Sequence, residues 1–530
     1  MVDNSARRWW ALVAIAASVL VVGLDLTVLN LALPTISNDL HASTSDLQWV
    51  SDAYSLVLAA AMLPAGLLGD RLGRKKVLLT ALVLFGASSA ACAYASGISE
   101  LIAARAVLGI GAAAIFPLSL SVIPVLFAPE ERQKAIALMA SATFISFPIG
   151  PIVGGYLLDN FWWGSVFLIN VPVTALGAIA VAILVPESRN RQAGGIDYVG
   201  VLLSIAGLVS LVFGIVQGGD GDSWLSLGVL GPIVGGLVIL AAFVAYEARI
   251  QHPSLDVRLF RDRRLSASVG ALGLVFFGMG GVFFFTSFYL QNVRGYTPLD
   301  AGLLTVPFAA GQLLMSPRSA RLVQRYGAKA VGTTGMFVMA AAIAGYATLG
   351  TASPIWLLGV LFGIQGAAIG LSMPAATAAV MDVLPRERAG SGSALTNTAR
   401  QVAVALSVAI LGSILADFYR NALAPTLAGL PAATRGAASS SITATQAVAQ
   451  QLGPAGRALL APANVAFVDA MRVTTLIAAL VALAGGFVVL RWMPGKPRPV
   501  AEIAAPSEDA YESELAIMEQ NMLNTADREG

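Results

Sequence analysis

The sequence is poor in the residues that soluble chemistry draws on. It has a single cysteine, Cys92, inside an apolar run, which excludes a disulfide framework and a thiolate metal cluster. Its two histidines, His41 and His252, lie outside the long apolar stretches, so no metal site is expected. Charged residues make up only 12% of the chain, about half the roughly 25% of a soluble globular protein. No Gly-x4-Gly-Lys-Ser/Thr loop is present, so no ATP drive and no cofactor is expected. The net charge of +2 indicates no partner. What remains is apolar: 57% of the 530 residues are hydrophobic, with 53 glycines and 25 prolines. Fourteen spans of about 21 residues each would absorb nearly all of that apolar content. A soluble enzyme and a nucleic-acid binder are excluded. So is an outer-membrane barrel, whose strands alternate instead of running apolar. The expected class is an all-α polytopic membrane protein.

Apolar runs of spanning length fall near 10–33, 48–69, 77–96, 100–126, 135–159, 165–185, 198–217, 226–247, 265–291, 300–323, 330–350, 355–382, 390–417 and 467–493. The first run is too long for a signal-peptide core and passes Pro34 without a small-residue cleavage site, so it reads as a retained span. With both termini cytoplasmic, 25 of the 32 basic residues collect on the inner side. That asymmetry is the positive-inside signal. Residues 418–466 are rich in Ala, Ser, Thr and Pro, contain no acid, and read as an external loop with short helices. The tail 494–530 is acidic and reads as a solvated cytoplasmic segment, although Ser507 is a possible helix cap.

An internal repeat organises these spans. Leu68, Arg71, Gly73 and Lys75, after the second span, recur as Leu322, Arg325, Gly327 and Lys329 after the tenth. Pro129, Glu131 and Arg132 recur as Pro385, Glu387 and Arg388. Equivalent loops eight spans apart imply two six-span bundles, 10–185 and 265–493, separated by two inserted spans over 198–247. The residues 1–9 then form a short cytoplasmic start. Parallel repeats around a midplane site are a transporter architecture.

Four motifs carry a family resemblance. The first is Asp25 to Pro34 in span 1. The second is the loop of Gly66, Asp70, Arg71, Gly73, Arg74 and Lys75. Arg105, Gly109 and Gly111 in span 4 make the third. Gly150, Pro151, Gly154 and Gly155 in span 5 make the fourth. Asn170 with Pro172, and Arg400 with Gln401, add weaker matches. The chain resembles the major facilitator superfamily in its fourteen-span drug:proton antiporter branch, over residues 10–493. Leu108 stands where that branch usually has Gln, and Ser146, Phe147 and Pro148 replace a more glycine-rich lead-in.

The resemblance implies a secondary active transporter of a bacterial cytoplasmic membrane, not an enzyme. It would exchange protons for small lipophilic, including cationic, drugs or antibiotics by rocking its halves. It would work as a monomer among membrane lipids, with no nucleic acid. A dedicated exporter of one antibiotic or metabolite has the same fold, and a non-transporting membrane sensor is the reading from another class. Charges deep in a bilayer cost on the order of 3 kcal/mol, so the few present are candidates. Asp25 lies about 13 Å from the outer end of its helix. It is the expected coupling acid, facing an open cavity, and Asp25→Asn is expected to stop efflux with expression near normal. Asp52 reads as a shallower second acid. Arg105 is expected to hold water and bias a cavity acid, and Arg400 lies about 15 Å deep. Where related cation pumps often carry acids in span 13, this chain has Thr396, Asn397, Arg400 and Gln401, which leaves room for neutral or anionic substrates. Asn30, Phe284, Phe288, Tyr289, Gln312 and Asn397 are cavity candidates. The span 9 aromatics are otherwise expected to face lipid or pack. In the family, the Asp70 loop latches the halves and the span 5 glycines seal the inner side.

Overall fold

A computed structural model describes residues 4–189, 197–220, 223–250, 255–383 and 389–493. The acidic tail with Ser507 and the repeat loop around Pro385 and Arg388 lie outside the described residues. All regular elements described are helices: α1 Asn4–Leu40, α2 Thr44–Leu72, α3 Arg74–Ala93, α4 Ile98–Leu126, α5 Pro129–Asn160, α6 Ser165–Leu168, α7 Asn170–Leu184, α8 Tyr198–Gly219, α9 Leu227–Glu247, α10 Arg263–Phe288, α11 Pro298–Leu303, α12 Val306–Tyr326, α13 Ala328–Tyr346, α14 Ile355–Val383, α15 Ala389–Leu427, α16 Ala432–Ser439, α17 Ile442–Gln451 and α18 Arg457–Trp492. Among the described residues, twelve helical stretches are long and apolar enough to cross a membrane. A thirteenth is α2, bent by 51° between Met62 and Pro64. The proline explains the bend, because it lacks a donor and clashes with the preceding turn.

Local chemistry sets the helix ends. Ser43 and Asp46 form a capping box that starts α2 at Thr44, four residues before the expected run. The expected tenth span divides into α11 and α12 at Leu304 and Thr305, just before Pro307. The segment 418–466 is more helical than expected. α15 continues to Leu427 and α18 begins at Arg457, with α16 and α17 between them. Its alanines are strong helix formers, and it folds back on the bundle. The Tyr419 hydroxyl meets Thr445 Oγ1 at 2.6 Å.

In the first bundle α1 packs between α5 and α7, while α4 packs on α2 and α3. In the second, α10 packs on α15 and α18, and α14 on α12 and α13. The inserted pair α8–α9 rests through α8 on both α2 and α15, which belong to different bundles. The sequence repeat is also a conformational one. Gly73 (φ 117°) separates α2 from α3 and Gly327 (φ 86°) separates α12 from α13. A Cβ at Gly73 would also lie 2.5 Å from Glu187 Oε1. Positive φ strains any residue with a Cβ by about 1–3 kcal/mol. Gly73→Ala and Gly327→Ala should each lower unfolding stability in detergent by about that amount, whereas Gly97→Ala, which meets open space, should not.

Candidate transport site

Two acids and two arginines expected from sequence lie in the helix interiors. Asp25 on α1 is 3% exposed and Arg105 on α4 is 1% exposed. Arg105 Nη1 donates to Asp25 Oδ2 at 2.5 Å, and its Nε donates to the Val50 carbonyl at 3.1 Å. The guanidinium lies 4.3 Å from the Tyr54 ring centroid and 5.9 Å from that of Phe167. Asn170 Nδ2 reaches the other Asp25 oxygen at 3.3 Å and Ser89 Oγ at 2.9 Å. Ser89 in turn donates to the Phe167 carbonyl. Four helices, α1, α3, α4 and α7, thus converge on one buried ion pair, with α2 supplying Val50 and Tyr54. Ser89 carried no signal in the sequence. Asn170 had only a weak motif match, and its link to Asp25 spans 145 residues.

This geometry corrects two expectations. Asp25 does not face an open cavity, because its charge is consumed by Arg105. A buried ion pair resists loss of either partner, since the survivor is left charged and desolvated. Asp25→Asn is therefore not a neutral change for expression. Arg105 in turn is enclosed by Asp25, Val50, Tyr54 and Phe167, so a water-holding role does not describe it in this conformation.

Asp52 is a third correction. It is fully buried, not shallow, and neither carboxyl oxygen has a hydrogen-bond partner among the described residues. The early start of α2 places it eight residues into the helix, about 12 Å along the axis. α15 packs over this part of α2: Gln48 Nε2 donates to the Val408 and Ala409 carbonyls, each at 3.0 Å. Arg400, also on α15, is half-buried, with its guanidinium 5.2 Å from the Phe276 ring centroid. It makes no hydrogen bond or ion pair among the described residues. The Tyr54 hydroxyl is buried without a partner among the described residues.

The remaining candidates divide between packing and gating. Phe284 and Phe288 are buried, with ring centroids 5.6 Å apart, and border a cavity of about 10 Å³. Tyr289 donates its hydroxyl to the Gly350 carbonyl at 2.7 Å. These aromatics fill the interior rather than line an open cavity or face lipid, because α10 is enclosed by α14, α15 and α18. Gln312 is buried near α14. Asn30 bonds back to the Leu26 carbonyl at 3.4 Å, and Asn397 is half-buried.

At the basic end, the contacts of Asp70, Arg74 and Lys75 lie within the first bundle. Arg74 Nε donates to Asp70 Oδ1 at 2.8 Å and Nη1 to the Ser121 carbonyl, while Lys75 Nζ reaches the Ala182 carbonyl. Arg71 is exposed, and Gly66 lies 4.0 Å from Pro117 at the position of its missing Cβ.

The span 5 glycines sit at the opposite end, which corrects the expectation that they seal the inner side: they lie in the last third of α5, away from its start at Pro129. Gly150 and Gly154 let α5 approach Thr27 and Val28 of α1. A Cβ on Gly155 would fall 2.6 Å from the Leu299 Cα, and one on Gly302 would strike the Pro151 carbonyl. These are contacts between bundles, reinforced by Gln291 donating to the Leu31 carbonyl at 2.8 Å. In this conformation the two bundles are sealed at the end away from the basic loops.

A family model, the Major Facilitator Superfamily, matches residues 15–408. The chain belongs to the Major Facilitator Superfamily. Among curated members of the superfamily, it is 35% identical to the multidrug efflux pump LfrA of Mycolicibacterium smegmatis, over 91% of this chain and 96% of the relative. It is 33% identical to the methyl viologen resistance protein SmvA of Salmonella typhimurium, over 87% and 93%. It is 31% identical to the tetracenomycin C resistance and export protein of Streptomyces glaucescens, over 78% and 76%. These relatives agree with the drug:proton antiporter branch named from the motifs. Solved structures share the fold. An inward-facing bacterial homologue of the human lysosomal transporter Spinster aligns with TM-score 0.65 and 17% identity, covering 92% of this chain and 98% of that one. A D-xylose–proton symporter aligns with TM-score 0.60 and 15% identity, over 91% and 97%. The chain is a multi-pass superfamily transporter.

The seal makes a testable prediction for such a transporter. Replacing Gly302 by Leu overpacks the α5–α11 contact, at a cost of about 1–3 kcal/mol. That is enough to move the population toward opening at this end by roughly tenfold. In a Cys92→Ala background, Asn30→Cys should then react about tenfold faster with a membrane-impermeant thiol reagent applied at that face. An unchanged rate would mean that Gly302 does not hold the gate.

Proposed function

We propose that this transporter exports lipophilic drugs, cations among them, in exchange for protons by alternating access. It has fourteen spans in a bacterial cytoplasmic membrane, with the basic end and both termini cytoplasmic, as the asymmetry of its lysines and arginines supports. It acts as a monomer, without a cofactor. The conformation sealed between α5 and α11 is then the one closed to the outside, and the rocking movement breaks that seal to release the drug. The Asp70 loop is the latch of the opposite state.

The observation that carries proton coupling is Asp52, a buried carboxyl group with no partner for either oxygen. An unpaired carboxylate in an apolar interior is costly, whereas the neutral acid is not. Asp52 takes the proton when its site is closed off and gives it up when water or a cationic drug reaches it. Asp25, fixed by Arg105 and Asn170, holds the first bundle's polar core in register around that site. Exchange of one proton for one monovalent cation is electroneutral and supports about a tenfold drug gradient per pH unit.

Purified protein in proteoliposomes tests the reading. An imposed pH gradient should drive a lipophilic cationic dye uphill, with no movement in protein-free vesicles. Absence of both uphill movement and counterflow exchange would point to a non-transporting membrane protein. A panel of chemically diverse toxins in a pump-deleted host distinguishes broad export from a dedicated exporter.

A further inference from the structure

The mechanism proposed above leaves Arg400 without a task. Its guanidinium presents five donors, stacks on Phe276, and forms no ion pair or hydrogen bond among the described residues. Among the described side chains of the second bundle, none forms an ion pair with it. No Asp or Glu occurs between residues 263 and 299, 301 and 381, or 388 and 416. Of the helices packed against α15, namely α2, α8, α10, α14, α16 and α18, only α2 brings an acid into the interior among the described side chains. That acid is Asp52, whose oxygens reach neither Arg400 nor any other described group. Arg105, the other interior arginine, is already neutralised by Asp25.

A second group is unused beside it. The Tyr54 hydroxyl is fully buried and unpartnered among the described residues, and Tyr54 and Arg400 both lie between the Gln48–Val408 and Ala59–Thr398 contacts that pair α2 with α15. A guanidinium fork, a phenolic donor and an aromatic wall make a receptor for an anionic oxygen group on a planar, lipophilic body. A half-buried cation without a counter-ion has lost part of its hydration and gained nothing in return, so an incoming anion gains where a cation would be repelled. We propose that Arg400 and Tyr54 bind the carboxylate of a lipophilic anionic or zwitterionic substrate. This assignment rests on the export reading above and gives its substrate class a second member beside cations. Export of an anion against an incoming proton moves net charge, so the membrane potential drives it together with the pH gradient.

The test is equilibrium binding to the purified full-length protein in neutral detergent, using anthracene-9-carboxylate and its methyl ester as probes. The two share one apolar body and differ in charge. Wild type should favour the carboxylate over the ester by about tenfold, the scale of one charge-assisted hydrogen-bonded pair. Arg400→Gln should bring the ratio to about one, Arg400→Lys should keep part of it, and Tyr54→Phe should reduce it by several-fold. Micelles doped with phosphatidylglycerol should not displace the probe. Displacement would assign the site to lipid phosphate and overturn the substrate assignment. A wild-type ratio near one, or a ratio unchanged in Arg400→Gln, would also overturn it, leaving Arg400 to pair with an internal acid in another conformation. Dye transport by the wild type reports separately on the export reading, because the binding ratio needs no gradient.

Discussion

Asp52→Asn should reduce pH-driven drug accumulation to the level of protein-free vesicles while the protein folds and inserts normally. The amide is close in shape to the acid and loses no hydrogen bond, because the acid makes none among the described residues. The stability change should therefore stay within about 1 kcal/mol, far below the cost of stranding a charge. What the amide cannot do is bind and release a proton. Uphill movement needs that step, whereas exchange of drug for drug across the membrane does not. Counterflow should survive in Asp52→Asn when pH-driven accumulation is lost. If both persist, Asp52 carries no coupled proton. If both vanish with normal folding, Asp52 binds drug without coupling.

The second large effect is on folding. Asp25→Asn leaves Arg105 buried with no counter-ion, and Arg105→Gln leaves Asp25 in the same position. Breaking a buried pair from one side costs about 3–5 kcal/mol, so each single variant should express poorly and unfold early in detergent. The double variant Asp25→Asn/Arg105→Gln removes both charges and should recover most of that loss, since neighbouring effects in one network are not additive. Midpoints of thermal unfolding for the four proteins give the coupling energy directly. Additive losses would show that the pair is not an energetic unit.

Much of this arrangement was legible in the sequence because the bilayer restricts the choices. Apolar run length located the helices, and the loop echo of Gly73 in Gly327 gave two bundles before any coordinates. Those glycines then proved to share a positive-φ break. The four interior charges could be named because interior charge is rare. Their pairing could not, since the contact between Asp25 and Arg105 joins residues 80 apart through a rotation of α1 and α4 that no periodicity records. The depth of Asp52 was misjudged for a local reason: the capping box at Ser43 lengthens α2 beyond its hydrophobic run. Phe284, Phe288 and Tyr289 are cavity candidates by composition alone, which does not reveal which helices surround α10. The seal between Gly155 and Leu299 was visible only as a glycine motif, since its partner lies in the other bundle.

Proton movement driven by the drug itself tests the central claim most directly. Proteoliposomes holding a trapped pH indicator, with no initial pH gradient, are given an inward gradient of a lipophilic cation. Under the exchange mechanism, protons leave as the drug enters, and the lumen of wild-type vesicles becomes alkaline in proportion to drug taken up. Asp52→Asn vesicles should stay at their starting pH while still exchanging labelled for unlabelled drug. Drug entry into wild-type vesicles without any change in lumenal pH would contradict the account.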